Sequence, residues 1–305
     1  MKKILRMVNE RLARFFARHT AHRFVTRPFL ESPDLGFLTT AIDFDCFRRT
    51  LIPVPLPLNK KDRYLIIAPH QDDESIGVGG TMARLASINA QQKVLFVTNG
   101  AQGGKDVDSS KSVYIRNAEA KAALQLIGCD CTFSTMCNIH PEPDKETIRW
   151  LREEIIQFSP DVVMIPWILD APEKHKLVNH LFALACSTGI SGNIEVWGYQ
   201  VHSGIIANAY VDISTVLELK REMISCYKSQ LALRNYDFLA ACLAGWNSRL
   251  IKSERDKEKY CELFFTLPAT EYCSLIRQLF DNDLHRIYSS KSLRRCMTEL
   301  IEVCN

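Results

Sequence analysis

Residues 64–74 read Tyr-Leu-Ile-Ile-Ala-Pro-His-Gln-Asp-Asp-Glu. The apolar run 64–68 suits a strand buried on both faces, and a dense polar cluster stands where that strand ends. The same alternation recurs outward from it. Residues 76–90 read as a helix, and 93–98 as a second strand running into Asn99-Gly100 and a Gly-rich loop. Residues 112–127 follow as a helix with Ala118, Ala122, Ala123 and Leu126 on one side and Gly128 as its stop. Residues 131–135 make a weaker strand, 145–158 a helix ended by Ser159-Pro160, 161–167 another buried strand and 175–188 a helix. Strands at 194–201 and 210–214 come next, and beyond 215 the chain is mostly helical apart from an apolar run at 261–267. Strand and helix alternating at this interval predict an α/β fold: a Rossmann-like, mostly parallel sheet with helices on both faces, plus helical N- and C-terminal extensions. The expected divisions are 1–60, 61–268 and 269–305.

Composition narrows the class. The chain has 305 residues, 47% hydrophobic and 24% charged, a balance that excludes disorder, collagen and coiled coil. No apolar run approaches the roughly 20 residues of a membrane span. The eleven cysteines include no CxxC pair, only Cys129 and Cys131 at CxC spacing, which argues for reduced thiols in a cytoplasmic setting over a disulfide framework. Residues 1–31 carry eight Lys/Arg against Glu10 and Glu31, a net +6, which leaves −3 for the remainder of a chain whose total is +3. A mildly acidic body is poor material for nucleic-acid binding, and none is expected.

The basic start is charged throughout, has no small-residue cleavage site after it, and is not read as a secretory signal. Over 3–19 it reads as an amphipathic helix. Ile4, Leu5, Val8, Leu12, Phe15 and Phe16 share one arc of about 120°, with Lys3, Arg6, Arg11, Arg14 and Arg18 opposite. Such a helix either docks on the domain by its apolar face or lies on an anionic membrane surface, which would make the protein peripheral on the inner face of the membrane.

In open α/β sheets, ligands bind beyond the carboxyl ends of strands. Three polar clusters leave three strands at that edge: His70-Gln71-Asp72-Asp73-Glu74, Asn99-Gly100, and Asp170 with His175. One His and three carboxylates within five residues concentrate like charge that a divalent cation would offset. His70 and Asp73, three apart, can aim at one point, and His175 is the natural third ligand of a zinc site with one position open. Asp72 then remains as the base that takes a proton from water. The plainer alternative is a solvated acidic loop that caps a helix. His180, five residues beyond His175, lies ~140° round the helix and off the ligand face.

The motifs resemble those of the PIG-L/LmbE-like zinc N-deacetylases. Ala68-Pro-His-Gln-Asp-Asp-Glu74 with Gly77-Val-Gly-Gly-Thr81 matches the signature, and Val97-Thr-Asn-Gly100 the second strand and loop. Arg116-Asn-Ala-Glu119 with Ala122, Ala123 and Gly128 matches the following helix. Pro160-Asp-Val-Val163 with Pro166, Asp170 and His175, then Val211-Asp212, Lys220 and Tyr227-Lys-Ser-Gln230, match the distal half. The resemblance covers about 62–268. It implies one Zn2+ held by His70, Asp73 and His175, Asp72 as general base, and Arg116 on the substrate; Asn99 and Gly100, which follow a strand, and Asp170 are expected to line its site. The implied reaction is hydrolysis of the N-acetyl group of an N-acetylglucosamine-type sugar carried on a glycan, glycolipid or lipid-linked intermediate.

Three positions depart from the pattern. Gln71 replaces a usual Pro, and the first of two family histidines falls on Pro172, with Lys174 before the ligand. His202, after the strand at 194–201, is a replacement candidate, and Asp72 could also move the proton in both directions. A plain turn is an equal reading of Asn99-Gly100. Two other functions compete. A nucleotide or S-adenosylmethionine binder would need a Gly-rich first loop, where this chain has Pro69 to Glu74. A non-catalytic, membrane-associated sugar-binding relative would keep the metal residues without turnover.

Overall fold

The computed structural model describes residues 53–101, 108–187, 193–251 and 258–304. The amphipathic segment 3–19 lies outside them. One eight-stranded sheet organises the chain, built from β1 (Val54–Pro55), β2 (Arg63–Ala68), β3 (Gln91–Phe96), β4 (Asp130–Phe133), β5 (Val162–Pro166), β6 (Glu195–Tyr199), β7 (Ala209–Asp212) and β8 (Cys261–Pro268). The spatial order is β1-β7-β8-β6-β5-β2-β3-β4. All pairings are parallel except those of β8, which runs antiparallel to both β6 and β7. The apolar run 261–267 is thus an interior strand, and its residues Cys261 to Phe265 are buried.

Helices cover both faces, as alternation predicts. On one lie α1 (Asp73–Ser87), α2 (Ser109–Gln125), α5 (Leu217–Ser225), the single turn α6 (Lys228–Leu231) and α7 (Tyr236–Asn247). On the other lie α3 (Lys145–Phe158), α4 (Glu173–Cys186), α8 (Ala269–Phe280), the short α9 (Leu284–Ile287) and α10 (Lys291–Cys304). Alternate side chains of β2 serve the two layers. Tyr64, Ile66 and Ala68 join Met82, Phe96, Leu124 and Met223 in one core. Leu65 and Ile67 join Ile165, Leu181, Phe182, Ile276 and Leu293 in the other. Two buried faces explain why β2 and β5 read as unbroken apolar runs. The helices of 269–304 belong to the second core, where Tyr272, Phe280, Tyr288 and Met297 pack with the residues of α4.

Strand order reverses beside β2: the chain steps from β2 to β3 and β4 on one side, then from β5 to β6 on the other. The crevice beyond the carboxyl ends of β2 and β5 is therefore the topological switch point, where such sheets place ligands.

Candidate active site

The site grows from the turn between β2 and α1. Asp72 stands at the helix N-cap with φ 141° and ψ −28°, a strained backbone for a residue with a side chain. Asp73 and Glu74 occupy the first turn, where the positive end of the helix dipole favours carboxylates. The Asp73 carboxylate accepts from the His70 backbone N–H at 3.0 Å and meets His70 Nδ1 at 2.9 Å. Glu74 is fully buried and accepts from the Tyr227 hydroxyl, from Ser75 Oγ at 2.6 Å and from the Asp72 N–H at 3.1 Å.

From the far side of the switch point, β5 delivers Asp170, and α4 delivers His175. His175 Nδ1 meets Asp170 Oδ2 at 2.8 Å, while Nε2 stands 3.3 Å from Asp73 Oδ2. His202, beyond β6, brings Nε2 to 3.9 Å from Asp73 Oδ1. Its ring centroid is 5.3 Å from that of His175, and its side chain keeps 36% of its surface exposed, which places it at the rim.

The electrostatics follow from burial and opposite charge. Burial, with the Asp73 charge beside it, pushes the Asp72 carboxyl well above the usual carboxylate range. Burial acts on Asp73 in the same direction, but His175 and His70 outweigh it and hold that carboxyl well below its ordinary value. Burial disfavours a charged His175, yet Asp73 and Asp170 reverse the balance and raise its pKa to about 10. Burial and the neighbouring His175 lower His202, and burial also lowers His70. Two carboxylates thus enclose a point that demands positive charge.

A proton meets that demand, and so would a divalent cation. His70, Asp73 and His175 each offer a ligand atom, all within 4.8 Å of one another. Asp170 fixes the Nδ1 side of His175, while the buried Nε2 has no hydrogen-bond partner. A histidine oriented by a carboxylate on one nitrogen, with the other nitrogen unsatisfied, is what a metal ligand needs. Two imidazoles and one carboxylate are also a zinc donor set. The residues fit the group.

The remaining expected residues divide. Arg116 is buried and binds Asp72 Oδ1 at 3.0 Å and the Gln71 carbonyl at 2.7 Å, so its guanidinium holds the candidate base. Asp170 is fully buried, and its oxygens accept from the backbone N–H groups of Ser203 at 2.7 Å, His202 at 3.2 Å and Ala171 at 3.2 Å, in addition to His175. Asp170 thus links His175 to the loop of His202. Asn99 Oδ1 accepts from the backbone of Ala101, a turn contact, and of Asn138 in the loop after β4, both at 3.0 Å. Gly100, at φ +68°, leaves room for Gln71, whose Oε1 stands 2.0 Å from where a Cβ would be. Both residues build the loop that seats Gln71. Pro172 is the N-cap of α4 and has no group to replace a histidine. His180 packs in the second core between Tyr288 at 2.9 Å and Asp281 at 2.7 Å. Ser203, whose Oγ accepts from the Ala171 N–H at 2.9 Å, went unread, since a lone serine after a strand carries no pattern.

The chain has relatives in sequence and fold. Residues 65–186 match the family described as PIG-L: GlcNAc-PI de-N-acetylase. The match spans 122 of the 305 residues. A diacetylchitobiose deacetylase of Thermococcus kodakarensis is 27% identical over 199 residues, which span 57% of this chain and 72% of the relative. Among solved structures, the N,N'-diacetylchitobiose deacetylase of Pyrococcus horikoshii superposes with a TM-score of 0.58 at 20% identity, covering 69% of this chain and 85% of its own. A 4-carboxy-2-hydroxymuconate hydratase from Pseudomonas putida gives 0.59 at 21% identity, covering 67% and 96%. These likenesses show the fold. They do not choose between the chemistries that fold carries, because a hydratase shares it.

Proposed function

We propose that the protein is a metal-dependent amidase that removes the acetyl group from an N-acetylglucosamine-type amino sugar. The observation that carries this reading is the convergence of His70, Asp73 and the buried Nε2 of His175, which makes no hydrogen bond, beside a raised carboxyl on Asp72. The matching family and the Thermococcus relative support the acetamide as the bond cleaved.

Zinc held by His70, Asp73 and His175 would supply a Lewis acid for the carbonyl and acidify the water that attacks it. Asp72 is the base. Arg116 fixes its Oδ1, leaving Oδ2 to accept a proton as the water oxygen adds to the acetamide carbon. The same carboxyl then returns that proton to the sugar nitrogen as the C–N bond breaks, giving acetate and a free amine. His202, held at the rim by its N–H to Asp170, is our candidate donor to the developing oxyanion in place of the histidine missing at 172.

The test is acetate release from N,N'-diacetylchitobiose and from N-acetylglucosamine, with and without a chelator. Chelator-sensitive release from either supports the reading. No release by metal-loaded protein from either sugar contradicts it and leaves a binding module.

A further inference from the structure

Helix α1 is broken five residues into its course. Val78 has φ −133° and ψ 15°, outside the helical region. A regular helix would direct the Gly80 N–H to the Ile76 carbonyl. Here the Gly80 N–H donates to Glu262 Oε1 at 2.9 Å, and the Ile76 carbonyl accepts from Lys220 Nζ at 2.8 Å. Lys220 Nζ meets Glu262 Oε1 at 2.6 Å, so one ion pair occupies a rung of the helical ladder. The Thr81 N–H and hydroxyl both donate to Glu262 Oε2, at 2.7 and 2.6 Å. Both charged side chains are nearly sealed from water, at 2% and 4% exposure. Gly79 lets Lys220 cross the helix, with Lys220 Cγ only 3.3 Å from where a Cβ would stand.

The short segment ahead of the break, 73–77, carries Asp73. An insertion at a kink sets the angle between the two halves of a helix. We infer that Lys220 and Glu262 are positioning residues: they hold the first turn of α1 at the angle that brings Asp73 onto His70 and His175. The inference rests on the metal reading of that cluster. A buried pair kept only for stability would be a poor choice, since well-packed apolar residues serve as well.

Zinc affinity of the metal-stripped protein, measured by competition with a chromophoric chelator, tests it. Glu262→Gln removes the charge from the inserted group. Thr81→Val removes one hydroxyl contact while preserving shape, and it carries the comparison if Glu262→Gln does not fold. Leu293→Ala, in α10 on the other face, supplies comparable destabilisation without touching α1. Zinc dissociation constants about tenfold higher in the first two, with Leu293→Ala at the wild-type value, are expected. Wild-type affinity in folded Glu262→Gln or in Thr81→Val overturns the positioning role and spares the metal reading. Absence of zinc binding by the wild type overturns both.

Discussion

Three side chains around one carboxylate decide what this molecule can do. Asp73 is pinned by its neighbours in the charged form, while adjacent Asp72 is pushed toward the protonated form. In the proposed reaction these adjacent carboxyls with opposed tendencies divide labour: one to hold positive charge, the other to trade a proton. Asp72→Asn keeps an acceptor for Arg116 and removes the base. It is expected to lower kcat by about 10^2 to 10^4 while zinc content stays at the wild-type level, read by acetate release beside metal analysis. Loss of zinc together with turnover would mean that the two aspartates have exchanged roles. His202→Ala should lower kcat and leave zinc bound, since no more than its Nε2 reaches Asp73, at 3.9 Å.

At the scale of elements, α1 and α4 meet across the switch point, and each is held by a device of its own. Gly77 admits Tyr199, whose ring lies 2.5 Å from where a Cβ would be and whose hydroxyl donates to the Ile67 carbonyl. Gly77→Ala should cost about 1–3 kcal/mol in chemical denaturation, because the buried ring must move. On α4, burial holds His180 below its ordinary pKa, against the pull of Asp281 and with the help of Arg277. The unfolded chain then binds the proton first as pH falls below about 6.5, so stability drops between there and the folded value. Wild type should lose more melting temperature between pH 7.5 and 5.5 than His180→Gln does.

The elements themselves were legible: helix 145–158 is predicted to the residue, and β2 and β5 announce themselves by unbroken apolar runs. The motif pattern likewise brings His70, Asp73 and His175 to one point. What lies beyond reach is pairing at long range. Nothing local says that 261–267 enters antiparallel between β6 and β7, since a buried strand reads the same in either direction. Glu262 reaches Gly80 from 182 positions away, and no periodicity connects them. Asp170 is visible as a carboxylate near a strand end, but its saturation by three backbone amides depends on where the 202–203 loop falls.

Across the whole molecule, one sheet separates two cores, and the site straddles them. Asp73 is on the helix of one layer and His175 on the helix of the other, so both layers must be intact for the ligands to meet. The helices after 268 are part of that requirement, since Tyr272, Phe280 and Tyr288 are fully buried in the core that α4 completes. A chain ending at Pro268 should therefore give little soluble protein and no stoichiometric zinc. Among the described residues no helix is long and apolar enough to cross a membrane. The measurement that bears most directly on the central claim is metal content of the purified protein by plasma mass spectrometry, with wild type beside His175→Ala. Near one zinc per chain in the wild type and its loss in folded His175→Ala is the predicted result. A wild type that holds no metal after purification without chelators and after zinc addition would contradict it.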